Sequence, residues 1–224
     1  LDTFADLVQG FQGKRVALLI FNSSARTVFP LSDDYTMISE QLRAASFALE
    51  TSGHGVNLWP KNTNEFFPFI TGTETDADYG SSLVGDGLVS CTQAFDLADT
   101  ERSRTLILAT DNEVLGNELF TLPEAGDVVK TRGIKLYGLF IDSLLAVAPD
   151  EAGMRQVVEG ADGTFFYASD ADAAATIIGD VQQQEAIELG ATPRLVIFDR
   201  PGSWPVVALC GVGVMIVVGW RFKL

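Results

Sequence analysis

The sequence predicts an α/β fold: a doubly wound, mainly parallel sheet with one antiparallel edge strand, followed by a single C-terminal transmembrane helix. Three observations carry this expectation. Continuous apolar runs of strand length occur at residues 15–21, 103–110 and 134–141, with a shorter one at 164–167. Helical segments separate the later runs, and strands alternating with helices imply a parallel sheet covered on both faces. The chain then ends on an uncharged apolar stretch, 204–220, bracketed by Trp204 and Trp220.

Residues 1–11 read as a helix, already under way at Leu1. The run 15–21 suits a strand buried on both faces, and Asn22-Ser-Ser-Ala25 is turn chemistry. Residues 27–31 are a second extended run, which Pro30, having no N–H, confines to an edge or a strand end; the two runs read as a hairpin. Ser32 is the expected N-cap of a helix with Asp33 and Asp34 in its first turn. Met37, Ile38, Leu42, Ala45, Phe47 and Leu49 supply its apolar face. Residues 51–79 are expected as a long irregular loop, punctuated by Gly53, Gly55, Pro60, Pro68 and Gly72. Trp59, Phe66, Phe67 and Phe69 require part of that loop to pack down, and its place near the binding edge makes it a candidate for partner specificity.

Ser81 or Ser82 is expected to cap the next helix, reaching about Ala98. The strand 103–110 leads into a polar loop, Asp111-Asn-Glu113, and then a helix over 122–131. After the strand 134–141 comes a helix over 151–159, stopped by Gly160. The strand 164–167, a last helix over 172–187 and an extended piece at 193–198 complete the soluble part. The expected division is therefore a domain over 1–190, a linker over 191–203, a membrane helix over 204–220 and a tail over 221–224.

Composition narrows the function classes. Thirty acidic residues against fifteen Lys plus Arg give a net charge of −15, which argues against a nucleic-acid partner because no basic surface exists to displace phosphate counterions. Cys91 and Cys210 are too few for a disulfide framework or a zinc site, and both read as small buried hydrophobes. The one histidine, His54, falls in a polar loop with no nucleophile motif beside it. Neither a Gly-x-x-x-x-Gly-Lys phosphate loop nor a Gly-x-Ser-x-Gly elbow occurs, so no catalytic residue is assigned.

The stretch 204–220 has seventeen residues, at the short end of what crosses a bilayer. Its glycines, Gly211, Gly213 and Gly219, are common in membrane helices and poor in water-soluble ones; Gly211 and Gly219 share a face on which a second helix could pack. Arg221 and Lys223 follow at once, and the positive-inside rule places them in the cytoplasm and the domain outside. No initiator Met and no signal-peptide pattern opens the chain, and the native sequence is expected to continue before Leu1.

These residues carry a resemblance. Arg15-Val-Ala-Leu-Leu-Ile-Phe-Asn-Ser-Ser-Ala-Arg-Thr-Val-Phe-Pro-Leu-Ser-Asp-Asp-Tyr35 resembles the strand–hairpin–helix entry of bacterial von Willebrand factor A (VWA) domains, in particular the membrane-anchored BatA/BatB-like, or aerotolerance-type, group. Gly80-Ser-Ser-Leu-Val-Gly-Asp-Gly-Leu88, Leu106-Ile-Leu-Ala-Thr-Asp-Asn-Glu113 and Gly163-Thr-Phe-Phe-Tyr-Ala-Ser-Asp170 resemble three further stretches of that group, in the same order. Phe198-Asp-Arg-Pro-Gly-Ser-Trp204 resembles its lead-in to a membrane helix. The resemblance covers nearly the whole chain; its specificity lies in order and spacing rather than in any one motif.

What the resemblance implies is a divalent cation at the carboxyl edge of the sheet, usually Mg²⁺, with Mn²⁺ or Ca²⁺ as alternatives. An Asp-x-Ser-x-Ser motif, a Thr and an Asp hold it in the family, through hard oxygens that suit a hard ion. Carried over, the Asp is Asp111 and the Thr position falls on Ser82, which keeps the hydroxyl. Asn112 stands where the family has Gly. In the family the Asp-x-Ser-x-Ser motif follows the central strand. It does not occur upstream of the first helix here, so strand and motif are expected before Leu1. Without that strand, residues 16–20 and 106–108 would each lack a neighbour. Asn22, Ser23, Ser24, Asn112 and Glu113 are the partner-contact candidates, since ligands bind beyond the carboxyl ends of such sheets.

Three functions follow. One is a non-enzymatic module whose cation bridges to a protein partner, another subunit of a membrane or envelope complex. A second is a scaffold subunit with a vestigial cation site. The third is an α/β hydrolase or nucleotide-binding enzyme, disfavoured by the motifs that do not occur. Family neighbours often include a MoxR-type ATPase.

Overall fold

The computed structural model describes residues 1–11, 13–50, 63–74, 81–96, 103–142, 148–191 and 221. It divides into two units, Leu1–Ile187 and Glu188–Leu224. In the second, the end of the last helix and Arg221 are described. The expected linker, the extended piece at 193–198, the apolar stretch 204–220, His54 and Cys210 lie outside the described residues. Among the described residues no helix is long and apolar enough to cross a membrane.

The first unit is a mixed α/β layer structure. The described elements in chain order are α1 (Asp2–Leu7) with a 3₁₀ turn (Val8–Phe11), β1 (Val16–Phe21), β2 (Ala25–Ser32), α2 (Tyr35–Glu50), α3 (Thr63–Ile70), α4 (Val84–Thr92), β3 (Arg104–Thr110), α5 (Leu122–Thr131), β4 (Ile134–Phe140), α6 (Glu151–Gly160), β5 (Thr164–Tyr167) and α7 (Ala173–Ala191). A single sheet was the expectation. Among the described residues there are instead two, an antiparallel pair β1–β2 and a parallel sheet in the order β3–β4–β5.

The two sheets nevertheless share both layers of core. Along β3, Leu106 and Leu108 face one cluster and Ile107 the other; along β4, Leu136 and Phe140 face the first, Tyr137 and Leu139 the second. This is the period-2 alternation of a strand covered on both faces. β1 follows the same division, with Phe21 packed on the first cluster and Val16 and Leu18 on the second. The first cluster includes Val84 and Leu88 of α4, Val129 of α5 and Met154 and Val158 of α6. The second joins Ala5 of α1, Ile38 and Leu42 of α2, and Ile177 and Val181 of α7. β1 and β3 therefore lie in one layer between the same helices, hydrogen-bonded to β2 and β4 respectively and not to each other.

Several local expectations are corrected. β1 is half-buried along its length rather than buried on both faces. β2 extends over both sides of the predicted 27–31, and its register with β1 slips between Val16↔Ser32 and Leu18↔Phe29. That places an extra residue opposite β1 beside Pro30, at a bulge, where a missing N–H is tolerated. The cap of α2 is Asp34, whose carboxylate accepts the Met37 N–H at 3.0 Å, while the Ser32 hydroxyl accepts the Asp34 N–H. Ile38, Leu42 and Ala45 are buried as expected, but Phe47 is 52% exposed and Leu49 points outward too, with Ala48 turned inward instead. Phe47 falls on the face opposite the stripe that Ile38, Leu42 and Ala45 define, whereas Leu49 continues that stripe and is exposed in the helix's last turn.

A helix, α3, stands inside the predicted 51–79 loop. Its Phe66, Phe69 and Ile70 have helical spacing and are half-buried, whereas Pro68 points outward. Neither Ser81 nor Ser82 caps α4. Its N-cap is Leu83 with no side-chain cap, and it ends at Thr92 rather than near Ala98. α6 runs through Gly160, and the chain turns at Asp162, whose φ is +56°.

Candidate functional site

The carboxyl ends of β1 and β3 meet through one peptide. Leading into α4, the Leu83 N–H donates to the Asn22 carbonyl at the end of β1, 2.9 Å away. One residue earlier, Ser82 pairs with Leu115 beyond β3, its N–H donating at 2.7 Å and its carbonyl accepting at 3.1 Å. Ser82–Leu83 is thus a crossbar between the ends of two sheets that share no strand ladder. Gly87, one turn into α4, lets the helix close on β1: a Cβ there would lie 2.5 Å from the Phe21 ring.

β3 delivers Asp111 from its end. The Asp111 carboxylate accepts the Glu113 N–H at 3.2 Å, and the Thr110 hydroxyl accepts the Asn112 N–H at 3.0 Å, so the loop turns on its own side chains. Asn112 takes a left-handed φ of +51°, which Asn tolerates better than most residues. Its Nδ2 donates to the Asp150 carbonyl at 2.9 Å, at the head of α6, while its Oδ1 is buried without a partner. Glu113 accepts the Ala148 N–H at 2.9 Å. Ser82 and Asp111 are each half-buried at this edge, a hydroxyl and a carboxylate on facing loops.

The side chains of the residues after β1 are bonded within the fold. Asn22 Nδ2 donates to Thr73 Oγ1 at 2.8 Å, Ser23 Oγ to the Thr73 carbonyl at 2.9 Å, and Ser24 Oγ to the Gly72 carbonyl at 3.1 Å. The Ser24 N–H adds a bond to the Thr73 carbonyl at 3.0 Å. These three side chains fasten the turn after α3 onto the end of β1. Thr73, fully buried, is the residue they converge on, and it is not among the residues the sequence singles out. It had no local signal, because its partners lie about fifty residues away in the chain.

Missed in the same way were Asp86 and Glu118. Asp86 accepts the N–H groups of Leu119 and Phe120 at 3.0 and 2.9 Å, and Glu118 accepts the Gly85 N–H at 3.0 Å. Glu118 thus satisfies one open N–H of α4, and Asp86 holds the loop between β3 and α5. Among the described residues no group of three or more His, Cys, Asp and Glu side chains converges as metal donors. Cys91 packs against the first core cluster, and burial pushes its thiol up to about 11, which keeps it protonated and inert.

No protein-family model matches the sequence, and no curated protein matches it. Solved structures do. BatB from Bacteroides thetaiotaomicron aligns over 82% of this chain and 85% of its own, with a TM-score of 0.57 at 16% identity. An aerotolerance-related membrane protein from Bacteroides fragilis aligns over 81% and 85%, with a TM-score of 0.55 at 14% identity. Proximal thread matrix protein 1 from the mussel byssus, with a zinc-occupied MIDAS motif, aligns over 82% of this chain but 39% of its own, with a TM-score of 0.50 at 16% identity. At these identities the likeness is one of fold: the chain has a VWA-like α/β fold of the BatB type.

Proposed function

We propose, from the VWA-like fold as premise, that this chain is a membrane-anchored, non-catalytic module that binds other proteins through a divalent cation at the edge where β1 and β3 end. Ser82 and Asp111 hold the ion, Mg²⁺ or its hard relatives Mn²⁺ and Ca²⁺, and a partner carboxylate completes its coordination. The observation that supports this reading is the crossbar: the Ser82–Leu83 peptide is bonded to Asn22 on one side and, on the other, to Leu115 in the loop that begins at Asp111. A fold relative with a zinc-occupied MIDAS motif supports a cation at such an edge.

Two oxygen side chains do not fill the coordination sphere of an octahedral ion. In this reading the remaining donors come from an Asp-x-Ser-x-Ser loop on a strand between β1 and β3, which would unite the two sheets into one doubly wound sheet. That strand is supported by the edges of β1 and β3 that carry no ladder among the described residues, and by the two core clusters that both strands share. Residues 204–220 anchor the domain, with 191–203 as tether, 221–224 in the cytoplasm and the domain outside. A membrane protein among the fold relatives supports an anchored arrangement.

The test is calorimetric titration of Mg²⁺ and Mn²⁺ into the full-length protein, its Asp111→Ala variant and its Ser82→Ala variant. Saturable heat in the wild type, lost in Asp111→Ala and reduced in Ser82→Ala, is the expected result. Equal heats in all three would remove both residues from the site. A second reading, a scaffold subunit with an inactive cation site, is favoured by the side chains of Asn22, Ser23, Ser24 and Glu113, all bonded within the fold. It predicts no saturable heat even in the wild type.

A further inference from the structure

We propose that the loop between β3 and α5 is a docking surface for an amphipathic, basic segment of another protein, and that it works without the cation. Val114, Leu115, Leu119 and Phe120 are each at least 40% exposed, and Leu119 reaches 86%. Four large apolar side chains turned outward within seven residues are unusual on a soluble surface, where such patches mark contacts with other molecules.

This apolar display stands on a fixed backbone. Leu115 is paired in both directions with Ser82, Asp86 receives the N–H groups of Leu119 and Phe120, and Glu118 receives that of Gly85. Two glycines make the approach possible. A Cβ on Gly85 would fall 1.9 Å from the Phe120 carbonyl oxygen, and Gly116 holds a φ of +117°. The fold itself has already ordered this loop, so a partner meets little ordering cost on binding.

Charge selects the occupant. The stretches that build this surface, 81–96 and 105–129, contain no Lys or Arg, and Asp86 and Glu118 bring two carboxylates to the backbone of the loop and of α4 beside it. A second copy of this chain, at −15, would bring like charge to like. The complementary partner carries Leu, Ile or Phe on one face, flanked by Lys or Arg. This surface needs no ion, so it stands or falls apart from the cation reading.

The experiment uses fluorescence anisotropy with the full-length protein in a neutral detergent containing EDTA. The probe is a dye-labelled helical peptide with Leu on one face and Lys on the other. Controls are the same peptide with Glu for Lys and with Ser for Leu. The expected result is saturable binding of the Leu/Lys peptide in the presence of EDTA, weakened by roughly tenfold or more in Leu119→Ser and in Phe120→Ser, with both control peptides at least as weak as the variants. Circular dichroism checks that each variant folds, and Val114→Ser replaces any that does not. Equal affinity for wild type and the Leu119→Ser protein, equal affinity for the Leu/Glu peptide, or no binding of the Leu/Lys peptide overturns the proposal.

Discussion

Single residues show most directly how closely this fold is packed. A Cβ on Gly163 would lie 1.8 Å from the Leu136 carbonyl oxygen, which belongs to rigid backbone and cannot move aside. Gly163→Ala should therefore cost about 1–3 kcal/mol, measured by urea unfolding. Gly179, inside α7 and with nothing within 4 Å of its added Cβ, should behave oppositely; Gly179→Ala should stabilise by about 1 kcal/mol through helix propensity. Glu151 supplies a pH test. The Arg155 guanidinium, then the Tyr167 hydroxyl, hold its carboxyl below its ordinary value of 4.5. The folded state thus binds this proton less readily than the unfolded chain. The stabilisation is present above pH 4.5 and is lost as pH falls through and below it. A melting-temperature difference between wild type and Glu151→Gln should be visible at pH 7 and shrink steadily in acid. A constant difference down to pH 3 would remove the carboxylate's charge from the account.

At the scale of elements, β4 and the two edges can be told apart by exchange. β4 is hydrogen-bonded on both sides, to β3 and to β5, while β1 and β3 each have one ladder among the described residues. In hydrogen exchange of this chain, β4 amides should be the slowest, and about half the amides of β1 and β3 should exchange far sooner, as expected for alternating N–H groups directed away from the ladder. Uniform protection across all three strands would require another partner for those edges. Elements were legible in the sequence wherever one local pattern sufficed: β5, α5 and the apolar cores of β3 and β4 fall on or within a residue of their predicted limits. α3 was not, because Pro68 argued for a loop and outweighed three apolar residues at helical spacing. The start of α4 was not, because the N–H groups of its cap Leu83 and of Gly85 are taken by Asn22 and Glu118, far away in the chain. Ser81 and Ser82 carried the chemistry of a cap without its position.

For the whole molecule, the expected arrangement is a domain outside a membrane held by 204–220. Deleting 204–224 should move the protein from the membrane fraction to the soluble fraction, and external protease should digest the domain in spheroplasts. Digestion in inverted vesicles alone would reverse the orientation. The candidate site was legible in part. Ser82 and Asp111 are implied by ordered resemblance; what the structure adds is the backbone pairing of Ser82 with Leu115, in the loop after Asp111. Asn22, Ser23 and Ser24 were chosen by a rule about sheet edges, and their side chains instead grip the turn at Gly72–Thr73. Such a grip depends on a contact across fifty residues, which no local pattern records.

The crossbar has one more consequence, for how this surface can change over evolutionary time. Ser82 is held in place by its own N–H and carbonyl, through bonds that any residue except proline could make. Position is set by the main chain, and the side chain is left as an interchangeable part. Substitution to Thr, Asn or Asp can be sampled there one step at a time, altering what the edge attracts while the scaffold that presents it stays inherited.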